Sequence, residues 1–349
     1  MKISFWLTST TREMTSANWG IAPMGGAEIS AVQLGEELLK RGHDVSYFLE
    51  KCVPFDRDNL HVKSHHNVFD SEHEYFICVR PHQVLRGKFG NVKKILWSGD
   101  AFDQTSNDVF FDKEIAQSMD AFVFKSDWQR EKILEKYFHI EPNKARTIYN
   151  GLKKDFYSSN GVYANPKRFI HTSTWYRGVA NFLDIWPLIL DKIPDAEIHV
   201  FSKTSLYWGN ADGGLQEGWY QIAEELVKLP GMILREPVPQ NILAEEMKKS
   251  WLMLYPNSGF VESSCGSAQQ SMACGTPVIA TKRAGLVETI GESGILVEES
   301  KKWKENFAKT VVDLSCHQRK EMAKSGLQAV KSQLWEHKAK EWENFLKSL

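Results

Sequence analysis

Phe260-Val-Glu-Ser-Ser-Cys-Gly-Ser-Ala-Gln-Gln-Ser-Met-Ala-Cys-Gly-Thr-Pro-Val-Ile-Ala280 sits between two short apolar runs, Trp251-Leu-Met-Leu-Tyr255 and Pro277-Val-Ile-Ala-Thr281. Each run reads as a buried strand. The segment between them has helical length, opens with Ser and Gly residues and closes at Gly275. A small-residue loop feeding a helix presents backbone N–H groups and the positive end of a dipole, which suits an anion, most often a phosphate. Cys265, Gly266 and Ser267 head that helix and are the predicted donors. Glu262 lies in the loop and Gln270 inside the helix, so both are placed to reach one ligand at the strand ends.

Working outward, the same strand–turn–helix pattern recurs. Ile3-Ser-Phe-Trp-Leu7 is followed by a long loop, then by Gly25-Gly26-Ala27-Glu28 opening an amphipathic helix, then by the strand Val45–Leu49. This is a βαβ unit and implies a parallel sheet. The glycine pair lets backbone approach a ligand closely, or simply caps the helix. The dinucleotide fingerprint Gly-x-Gly-x-x-Gly is absent. Further strands are predicted at Tyr75–Val79, Lys94–Trp97 and Ala121–Phe124, and Ser126 is predicted to cap a helix. Asp100 follows the Lys94–Trp97 strand, where α/β folds bind ligands; it is the candidate contact for a sugar, with a turn cap as the alternative.

A polar stretch from Gly151 to Pro166 reads as a linker. A second alternating series then starts at Phe169–Thr172. Ser173-Thr-Trp-Tyr-Arg177-Gly178 follows a strand and precedes a helix, which again suits a phosphate. Arg177 at the positive end of a helix is unfavourable unless an anion joins it. Lys203, after the strand Glu197–Phe201, is a further candidate cation. The predicted domains are 1–160, 161–330 and a terminal helix, 331–349, striped with Trp335, Trp342, Phe345 and Leu346.

Three of these places resemble the family 4 retaining glycosyltransferases: Gly25–Glu28, Ser173–Gly178, and Glu262 to Ile279 with its Cys-Gly-Thr-Pro-Val-Ile segment. The resemblance extends over nearly the whole chain. It implies a GT-B fold, α/β, with two Rossmann-like domains facing a central cleft and a last helix returning to the N-terminal domain. It also implies transfer of a sugar from a nucleotide-sugar, with UDP or GDP as the expected nucleotide, to a glycan, lipid-linked or small-molecule acceptor. Gly25 and Gly26 would face the donor phosphates, Arg177 would hold the diphosphate, and Glu262 would hold the sugar, with no metal. The chain departs from the family pattern twice. Gln270 stands where the second glutamate is usual, and Ser173 where a first cation is usual. A non-catalytic nucleotide-binding protein and a non-hydrolysing nucleotide-sugar epimerase are the alternatives.

Composition is consistent with two ordinary globular domains: 349 residues, 42% hydrophobic and 25% charged. A formal net charge of −1 provides no basic field for nucleic acid. The five cysteines show no metal-type spacing and read as reduced thiols in a cytoplasmic protein. His61, His65 and His66 read as a solvated loop. The opening residues turn polar too quickly for a signal peptide, and no apolar run suits a membrane span; contact with a membrane surface is left open.

Overall fold

The computed structural model describes residues 1–7, 12–22, 24–80, 83–104, 110, 112–157, 164–202 and 213–349, with side chains from 217 in the last segment. The chain forms two compact units, Met1–Gly151 with Gln333–Leu349, and Leu152–Ser332. It leaves the first unit at Gly151, before the 160/161 boundary expected from composition. The reason is Phe156, fully buried in a short 3₁₀ turn, Lys154–Phe156, that packs within the second unit.

Unit 1 contains β1 (Lys2–Trp6), α1 (Gly26–Lys40), β2 (Asp44–Leu49), β3 (Phe55–Arg57), β4 (Leu60–Ser64), β5 (Tyr75–Cys78), β6 (Lys93–Ser98), α2 (Lys113–Ser118), β7 (Ala121–Phe124), α3 (Asp127–Lys136) and β8 (Ala145–Thr147). Unit 2 contains β9 (Asn165–Thr172), α4 (Phe182–Leu190), β10 (Glu197–Phe201), α5 (Gly213–Leu226), β11 (Met232–Arg235), α6 (Gln240–Lys248), β12 (Ser250–Tyr255), α7 (Gly266–Ala273), β13 (Val278–Thr281), α8 (Gly285–Ile290), β14 (Ile295–Val297), α9 (Trp303–Asp313) and α10 (Cys316–Val330). Helix α11 (Trp335–Lys347) belongs to unit 1.

Each unit is a Rossmann-like domain. The first sheet runs β3-β4-β2-β1-β5-β6-β7-β8 and the second β11-β10-β9-β12-β13-β14. All pairings are parallel except β3 with β4. Interior strands such as β7 and β13 are buried along their length, as expected where helices cover both faces. Ser126 caps α3 through a bond from the Gln129 amide.

The expected solvated loop around His61 is instead strand β4, paired with β2. Leu60 and Val62 face inward, while the His61 ring lies 2.6 Å from Asp56 and 3.5 Å from Asp44. Two apolar residues separated by one polar residue are too short a pattern to separate an outer strand from a loop.

Helix α11 packs on α1. Its buried stripe is Trp335, Trp342 and Leu346, spaced for one helical face. Trp342 meets Trp97 of β6 edge-on at 5.0 Å, and the Trp335 indole donates to Gln33 at 2.6 Å. Arg41 bonds Glu343 through Nε at 2.7 Å. Unit 1 therefore depends on the end of the chain for part of its core. Trp342→Ala is expected to lower unfolding free energy by about 3–5 kcal/mol, as for other fully buried tryptophans, read from the urea midpoint of the transition.

Candidate functional site

Strand order in unit 2 reverses between β9 and β12, and ligands of open α/β sheets bind beyond the carboxyl ends of the strands at such a point. Ser173 follows β9 there, and Tyr255 ends β12. The two loops are pressed together. Gly178 has φ 100°, and a Cβ on it would stand 2.3 Å from the Pro256 carbonyl oxygen, so only glycine fits. Asn181 donates to that same carbonyl at 2.7 Å and to the Ser258 hydroxyl at 2.9 Å. Buried Asn257 closes the loop by bonding the Phe260 amide and carbonyl, at 3.1 and 2.8 Å. The result places the Arg177 guanidinium over the Phe260 ring, 4.4 Å from its centre.

Glu262 is the centre of the site. Its side chain is only 3% exposed. Arg177 donates to its two oxygens at 3.0 and 3.3 Å, and the Tyr255 hydroxyl donates to Oε1. Ser173 Oγ lies 3.2 Å from the Tyr255 hydroxyl. The phenol has one proton and gives it to Glu262, so Ser173 is the donor in that contact. Burial, first, and then the nearby Cys265 and Glu262 hold the phenol pKa well above its ordinary value, which keeps the proton on Tyr255. Beneath it, His171 stacks on the Tyr255 ring at 5.3 Å and its Nδ1 bonds the Leu254 carbonyl at 2.9 Å. Burial pushes this imidazole down to about 4, with Arg177 adding to the effect.

The neighbouring helix α7 begins at Gly266. The Gly266 and Ser267 amides head it and have no carbonyl of the preceding turn to receive them. The Cys265 amide, expected to join them, instead donates to Thr289 Oγ1 at 3.2 Å. Thr289 passes its own proton to the Gly285 carbonyl at 2.8 Å, and the Gly285 amide holds the Glu262 carbonyl at 2.8 Å. A Cβ on Gly285 would lie 2.2 Å from the Ser263 carbonyl oxygen. Helix α8 thus clamps both ends of the Glu262–Cys265 loop. Just before it, Ala284 takes φ 47°, ψ −138°, a region that costs a side chain about 1–3 kcal/mol. The Cys265 thiol is pushed up to about 12, chiefly by burial and then by Glu262, and is inert. Gln270 is half-buried on α7, and its side chain makes no hydrogen bond among the described residues.

Arg177, Glu262 and Ser173 therefore come together, with the Gly266 and Ser267 amides on the next element. Lys203 lies outside the described residues. Sequence reasoning missed Tyr255, Thr289 and a set of buried hydroxyls, Thr172, Thr174 and Ser202, that have no hydrogen-bond partner among the described residues. All three hydroxyls sit at the carboxyl ends of β9 and β10, where small polar residues were the available signal.

Unit 1 has its own arrangement at the corresponding strand reversal, between β1 and β5. Gly25 is the N-cap of α1, and a Cβ on Gly26 would meet nothing within 4 Å. Asp100 is buried, and both its oxygens accept from Arg80, at 2.9 and 2.8 Å. Gln129 bonds the Asp100 carbonyl at 2.8 Å. Arg80 holds φ 65° and also lies 3.8 Å from Glu28. Asp100 is thus a paired carboxylate, and its partner Arg80 was not singled out in the sequence.

Over their whole length these paired units are similar to solved glycosyltransferases. Sucrose-phosphate synthase from Thermosynechococcus elongatus shares 15% identity, with 100% of this chain and 98% of that one covered at a TM-score of 0.76. HepE from Anabaena, solved with UDP and glucose, shares 16% identity over all of both chains, TM-score 0.73. WaaG, a glycosyltransferase involved in lipopolysaccharide biosynthesis, shares 12% identity over 99% of both, TM-score 0.71. The fold is GT-B. Within it, residues 166–317 match the family model described as glycosyl transferases group 1, and that match lies wholly in unit 2. No curated protein sequence matches the chain.

Two outcomes follow from this GT-B site's geometry. His171 is neutral in the folded state and has a folded pKa below the unfolded value of 6.5, so the unfolded chain binds the extra proton. Stability should fall as pH drops below 6.5 and level off below about 4. By pH 5 the loss from His171 alone should be about 2 kcal/mol, measured as the urea midpoint at pH 7.5 and pH 5. Ala284→Gly should relieve backbone strain and raise stability by about 1 kcal/mol, seen as a higher melting temperature in the same buffer.

Proposed function

We propose that this chain is a retaining glycosyltransferase that moves a sugar from a nucleoside-diphosphate sugar to a glycan, lipid-linked or small-molecule acceptor. The observation that carries the reading is the pair of buried Glu262 and half-buried Arg177 at the strand reversal of unit 2, with the amides of Gly266 and Ser267 heading the next helix. As the donor's bond to its diphosphate breaks, negative charge develops on the leaving phosphate. Arg177 and the two amides are fixed donors for that charge, and one such donor is typically worth about 2.7–4 kcal/mol in a transition state. Glu262 holds the transferred sugar or stabilises the positive charge on its ring. Asp100, oriented by Arg80, is the unit 1 candidate for a sugar hydroxyl. The chemistry asks nothing of a metal in this scheme. HepE was solved with UDP-glucose, and a trehalose-6-phosphate protein from E. coli with UDP-2-fluoro glucose, which favours UDP as the nucleotide here, with GDP next. Among the described residues no helix is long and apolar enough to cross a membrane.

Gln270, an amide where the family pattern has a glutamate, favours one other reading: nucleotide binding without turnover. Release of nucleotide from a donor sugar, lost in Glu262→Ala, separates the two.

Thermal unfolding with UDP, GDP, ADP, CDP and TDP in turn tests the site. UDP or GDP at about 100 times its Kd should add about 2.7 kcal/mol, a shift of several degrees. Arg177→Ala should remove that ligand-induced shift. A shift with no nucleotide, or an equal shift in the variant, overturns the reading.

A further inference from the structure

Arg177 donates to Glu262, with Nη1 3.0 Å from Oε1. The diphosphate reading asks Arg177 to serve a second anion. A buried carboxylate that loses its only partner carries a large penalty, several kcal/mol in comparable pairs. Glu262 has another partner. Tyr255, wholly buried, donates its hydroxyl to Oε1, and Ser173 donates to the oxygen of that hydroxyl in turn. These bonds all point the same way, from Ser173 to Tyr255 to Glu262, so each strengthens the next. The phenol ring cannot swing away: it stacks on His171, whose own nitrogen is tied to the carbonyl of Leu254 in the same strand as Tyr255.

We infer that Glu262 competes with the donor's diphosphate for Arg177, and that Tyr255, backed by Ser173, is the positioning residue that keeps Glu262 satisfied and in place when Arg177 turns to the phosphates. This rests on the proposed nucleotide site and adds to it a cost of binding and the group that limits that cost. The nucleoside diphosphate alone is the appropriate probe, because it lacks the sugar that Glu262 would hold.

The inference sets opposite signs for two conservative variants. Glu262→Gln removes the competing charge and should bind the nucleoside diphosphate about tenfold more tightly than the wild type. Tyr255→Phe leaves Glu262 with Arg177 as its remaining strong donor and should bind it about tenfold more weakly. The double variant should bind like Glu262→Gln, since Tyr255 acts only through that carboxylate. Ser173→Ala, which keeps the phenol, should weaken binding by twofold to threefold. Titration calorimetry with UDP, GDP, ADP, CDP and TDP measures all four against wild type and Arg177→Ala, with circular dichroism confirming that each is folded. Loose packing from a lost hydroxyl would weaken binding equally with and without Glu262, and that result overturns the inference. So does weaker binding by Glu262→Gln. If Arg177→Ala binds as the wild type does, or no nucleotide binds the wild type, the nucleotide site itself is overturned, and the inference with it. Loss of binding in Arg177→Ala with no change in Glu262→Gln or Tyr255→Phe leaves the site standing and rejects the inference alone.

Discussion

A carboxylate taken out of water must be met by donors, and the loops around Glu262 are arranged to meet that demand. Desolvation of an ion costs several kcal/mol even after relaxation. Here Arg177 supplies charge and Tyr255 a neutral hydroxyl, from two different strands' ends. Each donor is fixed by a further group. Arg177 rests on Phe260, which an asparagine holds; Tyr255 rests on a histidine that burial keeps neutral. Were His171 charged, a second cation would sit under the pair and compete with Arg177 for the same carboxylate.

Backbone geometry meets the same demand from the other side. Gly178 and Gly285 both stand where a Cβ would strike a carbonyl oxygen. In one case the contact brings the Arg177 turn against the end of β12. In the other it brings α8 against the Glu262 loop. The strain at Ala284 lies one residue before that second contact. A strained residue persists where its surroundings overdetermine it, and the Gly285–Glu262 and Thr289–Cys265 bonds provide that determination. The cost falls on the loop, and the return is a carboxylate whose position does not depend on solvent.

Elements with strong local pattern were legible in the sequence. The strands Ala121–Phe124 and Glu197–Phe201 have the predicted bounds, and α7 ends at Ala273, just before the left-handed Gly275. The apolar runs announce burial on both faces, and a left-handed glycine announces a helix end. The outer strand at Leu60–Ser64 was not legible, because its half-exposed residues carry little pattern. In the site, Arg177 and Glu262 were readable as an oddly placed charge and a carboxylate beside a helix start. Tyr255 was not: as the last residue of an apolar strand it reads as core, and its polar role exists only because Glu262 arrives seven residues later. The Cys265 amide was read as free for the opposite reason. Thr289 lies twenty-four residues beyond it, and no local spacing links them.

The two departures from the pattern that the sequence resembles are both changes of charge. Ser173 stands where a cation is usual, which removes one positive charge. Gln270 stands where a glutamate is usual, which removes one negative charge. Among the described residues, the ion pair at the strand reversal of unit 2 joins Arg177 to the buried carboxylate of Glu262. Ser173 is not idle in this arrangement, since its hydroxyl supports the Tyr255 bond to Glu262. The serine–tyrosine chain carries no net charge, so the charged donor to Glu262 is Arg177. In that arrangement Glu262 is met by one charged donor and by one neutral hydroxyl that a second hydroxyl supports.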